Sequence, residues 1–238
     1  MGGANYLGTL GAGASVSGGS LVLTGSASSY MQIPSSVLSG LSSMTFEMWV
    51  STSASSNGNV WDRIFTFGTD ICFYVNGACI YLQKNEFSGG IMSQAYTGPT
   101  SGLFDSGSYL SSPPFDGLVN AHIVVAIVGG ISKQLYVNNV AAASDSCIPI
   151  PTVNKFLLGN SFDFSSGMAG SITEFRIYSG VLSAAQISAN YAAGPTSPSP
   201  SPTLSPSTSK PSSPMPSSST VTGRFEISLT TDYYYYQL

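Results

Sequence analysis

The chain has 238 residues, 42% of them apolar and only 8% charged, with a net charge of −4. That apolar content suffices for one sizeable core, while the charge is far below the roughly one quarter usual in soluble domains and is replaced by Ser, Thr, Gly and Asn. Seven scattered Lys and Arg residues build no basic patch for nucleic acid or an anionic membrane face, and no apolar run reaches the length of a membrane span.

Met1-Gly2-Gly3-Ala4 lacks the basic and apolar regions of a signal peptide, and the expectation is a piece of a longer exported protein. Short strands are then predicted at Leu21–Leu23 and Tyr30–Ile33. In Met44–Val50 the alternation puts Met44, Phe46, Met48 and Val50 on one face and Thr45, Glu47 and Trp49 on the other. Strands are also predicted at 63–67, 71–75 and 78–82. Cys72 and Cys79 flank YVNGA, a hairpin tip; a four-residue loop would let them bridge, a two-residue Asn76-Gly77 turn would not. With Cys147 the count is odd, and no CxxC or Cys/His cluster suggests zinc.

Residues 86–117 read as a long loop rich in Gly, Ser, Pro and aromatics, with one strand at 91–96; loops of that length are functional or disordered. Strands follow at 122–128 and 134–137, joined across Gly129-Gly130, then at 156–158 and 171–178. Many short strands with frequent turn signals mean an all-β sandwich or barrel. One helix of about two turns closes the set. Ser183 with Gln186 makes a capping box, and Leu182, Ile187 and Tyr191 form a stripe that must dock on the strands. Near Gly194 the composition changes. Eight of the 14 prolines lie between Pro195 and Pro216 among Ser and Thr, so 195–220 is expected to be an extended, disordered linker. Phe225, Ile227 and Leu229 alternate, giving residues 221–238 one strand with no core of its own, as in a truncated further domain.

Four blocks in register carry a resemblance. GGSLVLTGSASSYMQIP, MTFEMWV, AHIVVAIVGGISKQLYVNNV and GSITEFRIYSGVLSAAQISANYAAG are similar to successive segments of laminin-G-like domains in the concanavalin A-like lectin/glucanase superfamily. Ala121 replaces the usual His or Trp, and Asn139 the turn Gly, a mild change because Asn tolerates positive φ. The resemblance implies a jelly-roll sandwich of two antiparallel sheets over residues 1–194, its last strand returning beside the first and a small helix covering part of it. Dense Ser-Pro repeats resemble the O-glycosylated stalks of cell-wall and matrix proteins.

Catalytic relatives place their carboxylates as E-x-D-x-E on one strand, and this chain has no such strand, so hydrolysis is disfavoured. Binding remains. Neutral sugars take aromatic stacking with Asn, Asp and Arg hydrogen bonds, and Trp61, Asp62 and Arg63 supply those groups consecutively, with Tyr96 and Phe104 from the long loop. The structural alternatives are packing for Trp49 and Trp61, an ion pair from Arg63 to Glu47 or Glu174, and a hydrogen-bonded core histidine at His122. No cofactor is called for. Asn160 and Asp163 are candidate calcium ligands, as in some relatives, although calcium wants six to eight oxygens. The expected function is a non-catalytic carbohydrate-binding or adhesion module, outside the cell at a surface, wall or virion, with a glycan or matrix component as partner. The alternative is a structural or protein-interaction module without a sugar site.

Overall fold

The structure, a computed structural model, describes residues 8–53, 62–69, 78–83, 90–95, 106–111, 115, 117–165, 167–195, 226–230 and 233–237. Alternating apolar residues cannot bury one face alone, so the strands stack as two antiparallel sheets in a jelly-roll sandwich. The first sheet orders β1 (Thr9–Leu10), β4 (Met31–Ile33), β13 (Lys155–Leu158), β6 (Arg63–Gly68), β7 (Ala78–Gln83), β8 (Gly90–Ala95) and β9 (Ser106–Ser111). The second orders β12 (Val140–Asp145), β11 (Ser132–Val137), β10 (Ala121–Val128), β5 (Ser43–Thr52), β14 (Ala169–Ser179), β16 (Tyr233–Gln237) and β15 (Glu226–Thr230). In the second sheet β3 (Ser20–Thr24) also pairs with β14, and β2 (Ala14–Ser17) with β3.

Between the sheets the rings of Phe46, Phe65, Phe67, Phe156 and Phe175 pack together, with Phe46 and Phe65 centroids 4.9 Å apart. The core face of β5 is the predicted one. Its other face is buried as well, because α1 (Ala184–Ala193) lies across the second sheet. The capping box forms as expected: Gln186 N–H donates to Ser183 Oγ (3.3 Å) and Ser183 N–H to Gln186 Oε1 (2.9 Å). Of the predicted stripe, Ile187 is fully buried, but Tyr191 stays 41% exposed with its ring against Trp49 and His122. Asn138 and Asn139 both take positive φ in the tight β11–β12 turn, as the missing turn glycine requires. Gly170 is needed for a different reason. At φ 147° it approaches β5 so closely that a Cβ would sit 2.1 Å from the Ser51 carbonyl oxygen.

The final strand of the domain does return beside β3, the first strand read from sequence. Four expectations differ from the structure. The 86–117 segment is not one loop with a single strand, since β8 and β9 pair as a hairpin at the edge of the first sheet. β12 was hidden by its run of small residues. The helix has ten residues, nearer three turns than two. The tail strand is not alone: β15 pairs with β16, and β16 pairs with Glu174–Tyr178 of β14. The strand expected at 71–75 lies outside the described residues. Cys79 is disulfide-bonded, Cys147 is a buried thiol, and Cys72 is outside the described residues.

Candidate functional site

Each sheet carries a polar and aromatic constellation on its outer face. On the second sheet, cross-strand register places Glu47 opposite both Arg176 and Val124, with His122 opposite Trp49. Glu47 Oε1 lies 2.7 Å from His122 Nε2, and Oε2 accepts from Arg176 Nη1 (3.1 Å), Asn190 Nδ2 (3.0 Å) and the Tyr178 hydroxyl. Arg176 Nη2 donates to Glu174 Oε2 (2.8 Å). Burial alone would push the Glu47 carboxyl up, but the hydrogen bonds from His122 and Tyr178 and the Arg176 charge hold it below its ordinary value. Arg176 is raised: burial opposes its charge, and the Glu174 and Glu47 carboxylates outweigh that. Burial and the Glu47 charge push the Tyr178 phenol up.

The arginine that binds Glu47 and Glu174 is therefore Arg176 and not Arg63. The His122 ring is hydrogen-bonded through one nitrogen only; its buried Nδ1 has no partner among the described residues, and the ring packs 4.1 Å from that of Trp49. Trp49 packs as expected, though under α1 rather than between the sheets. Glycosidases need one carboxyl kept protonated beside a second carboxylate. Here both carboxyls bind one guanidinium beneath a helix, and both are at most 3% exposed. This network fastens α1 to the sandwich.

On the first sheet, the face opposite the core carries Cys79, Tyr81 and Gln83 of β7, Thr66 of β6 and Leu157 of β13. A register shift between Arg63 and Phe65 turns Arg63 toward Gln83 on this face. Its guanidinium stacks 3.6 Å above the Tyr81 ring, and Nη1 donates to Gln83 Oε1. Asp62 adjoins it, and both are buried, at 6% and 2% exposure. Of the sequence candidates the structure thus places Asp62 and Arg63 at the start of β6, in the middle of the sheet; Trp61, Tyr96 and Phe104 lie outside the described residues.

The β13–β14 loop covers the rest of this face. Asn160 anchors it: Nδ2 donates to the carbonyls of Ser26 (3.2 Å), Ala27 (3.1 Å) and Ser29 (3.5 Å), and Oδ1 accepts Ser161 N–H (2.9 Å). Asp163 takes the Ser161 hydroxyl and the Ser165 N–H and hydroxyl. Burial would raise its carboxyl, but those hydrogen bonds hold it below its ordinary value. The two calcium candidates thus serve two hydrogen-bond sets within one loop. Among the described residues no three His, Cys, Asp or Glu side chains are placed to hold a metal ion. Beyond Asp163, Phe164 packs against Tyr30 (5.0 Å), and Lys155 Nζ lies 4.3 Å from the Phe164 ring centre. Tyr81 and Gln83 were missed from sequence, although the period of two along β7 could have placed them on one face; the Tyr30, Phe164 and Lys155 cluster had no local signal.

The model of the concanavalin A-like lectin/glucanase superfamily matches residues 24–188. The chain belongs to that superfamily. None of the curated proteins matches it. Among solved structures, this member is similar to domain 4 of AbnA, an extracellular arabinanase from Geobacillus stearothermophilus, solved with arabinotriose. The TM-score is 0.54 at 19% identity, covering 76% of this chain and 86% of that one. It is also similar to the botulinum neurotoxin serotype G binding domain (TM-score 0.54, 13% identity, 79% and 46% covered). A third similar structure is the Ruminococcus gnavus IT-sialidase CBM40 bound to α2,3-sialyllactose (TM-score 0.51, 16% identity, 79% and 98% covered). At these identities the likeness is one of fold. In this superfamily member, the resemblance residues Glu47, Trp49, His122, Glu174, Arg176, Tyr178 and Gln186 belong to the helix and the network beneath it. No helix among the described residues is long and apolar enough to cross a membrane.

Proposed function

We propose that residues 1–194 form a non-catalytic carbohydrate-binding module that works outside the cell, at a surface or wall, carried on a Ser/Pro stalk at 195–220. Residues 221–238 follow it as a short tail. The observation that carries this reading is the outer face of the first sheet where β6 begins and β7 ends, with the Arg63 guanidinium fixed over Tyr81 and bonded to Gln83 beside Asp62. Arg63 is a positioning group in this arrangement because it is buried; the residues proposed to meet the sugar are Trp61, Tyr96 and Phe104. A surface with so little charge suits a neutral, hydroxyl-rich ligand, since hydrogen bonds and ring stacking need no large field. Two of the similar folds are complexed with oligosaccharides, which supports the same class of partner.

The test is a glycan array with the full chain and with Trp61→Ala, each checked for folding by circular dichroism. The expected result is saccharide binding that the substitution abolishes without loss of fold. A folded wild-type chain that binds no glycan would leave the structural or protein-interaction reading in its place.

A further inference from the structure

Phe164 has a backbone φ of +58°, in the left-handed region. Glycine adopts that region freely and Asn tolerates it; for a phenylalanine it is strained. The loop imposes the conformation. Phe164 N–H closes a turn onto the Ser161 carbonyl (3.1 Å), while Asp163 gathers Ser161 and Ser165 around itself. Gly or Asn would satisfy this turn with less strain, yet the position holds a large aromatic ring that is only half-buried. Strained residues persist where the surroundings over-determine them, and they concentrate at binding sites.

The surroundings supply what such a ring would need. The half-buried Tyr30 ring lies 5.0 Å away, tilted by 41°, and Phe162 underlies the pair as part of the buried cluster with Tyr81 and Leu157. Lys155 Nζ sits over one face of the Phe164 ring, 4.3 Å from its centre, and donates to the Phe162 carbonyl (3.5 Å), and the exposed Asp163 carboxylate precedes Phe164 in the chain. The same loop, three residues on, bridges Gly167 to Arg63, so it spans from this shelf to Asp62 and Arg63.

We infer that Tyr30 and Phe164 form a ring-stacking subsite for a saccharide, with Lys155 and Asp163 as the flanking hydrogen-bond donor and acceptor. The inference rests on the carbohydrate-binding reading above and names contact residues for it on the same sheet face. The C–H face of one sugar ring lies on the shelf away from the Phe164 face that Lys155 covers, its hydroxyls accept from the Lys155 ammonium at the rim and donate to the Asp163 carboxylate, and the chain of sugars runs on toward Arg63.

The experiment uses the full chain and the variants Phe164→Asn, Phe164→Tyr and Tyr30→Phe. Titration calorimetry is run with laminaritriose, xylotriose, mannotriose and 3′-sialyllactose, with a melting curve for each protein. Asn accepts the left-handed backbone, so Phe164→Asn is expected to melt at or above the wild-type temperature while losing at least tenfold in affinity. Phe164→Tyr and Tyr30→Phe keep a ring and retain affinity within about threefold. Sugar C–H protons shift upfield in the wild-type complex, and this ring-current shift disappears with Phe164→Asn. If the wild type binds one of these saccharides and Phe164→Asn binds it equally, the subsite is wrong while the carbohydrate-binding reading stands. If Phe164→Asn melts far below wild type, the ring is a packing element and the inference falls. If the wild type binds none of these four and none on the array, both readings fail together.

Discussion

The two outer faces of the sandwich use similar chemistry for different ends. On the second sheet Glu47, His122, Arg176 and Trp49 are sealed by α1, whose Asn190 reaches down to Glu47 and Tyr178. On the first sheet Arg63, Tyr81 and Asp62 are buried where β6 begins, while Tyr30 and the loop residue Phe164 remain half-open. A helix with a capping box and a buried Ile187 can close a face permanently. A loop anchored by one asparagine and tipped by a strained ring leaves a surface to be met. The location of a polar and aromatic cluster therefore says less about its role than what covers it.

The sharpest way to break this contrast is Glu47→Ala. It deprives His122, Arg176, Tyr178 and Asn190 of one shared buried acceptor, and removing one member of a buried ion network costs about 3–5 kcal/mol. Urea denaturation is expected to show that loss; a change within about 0.5 kcal/mol, the usual size for a surface substitution, would mean the network does not hold the helix.

The same carboxylate sets an acid limit. The folded-state Glu47 value lies below its unfolded one, so its contribution is complete above the unfolded value near 4.5 and disappears as pH falls through the folded value. Melting curves taken downward from pH 6 are expected to decline more steeply below pH 4.5 in wild type than in Glu47→Gln. Parallel curves would refute the assignment.

A smaller effect separates helix from sheet. Asn190→Ala removes two hydrogen bonds under α1 and is expected to cost about 1–3 kcal/mol, with saccharide binding on the opposite sheet unchanged. Loss of binding would show that the two faces are coupled. On the first sheet, Arg63→Lys keeps the charge but loses the planar stack on Tyr81, a contact worth about 0.5–2 kcal/mol, and is expected to weaken saccharide affinity by several-fold. The smallest expected effect is that of a chelator. An Asn160 amide nitrogen already occupies the point where three carbonyls converge, so EDTA is expected to leave the melting temperature unchanged. A fall of several degrees would return a cation to this loop.

Much of the fold was legible because its signals are local. The period of two in β5 assigned its core face, the resemblance blocks implied the return of β14 beside β3, and Ser183 with Gln186 placed the helix start. The sites were less so. Asp62 and Arg63 were singled out because three suitable residues stand together in the chain, whereas Tyr30, Lys155 and Phe164 come from three separate segments.

By itself the sequence determined which residues face inward, where the helix begins and that the surface carries little charge, since periodicity and capping act within a few residues. Only the tertiary structure decided that Arg176, 129 positions away, and not Arg63 would meet Glu47, that the outer face of β5 would be sealed, and that Phe164 would stand in a left-handed turn. Those outcomes depend on which distant strands become neighbours, and cross-strand register across two sheets leaves no mark on any single stretch of chain.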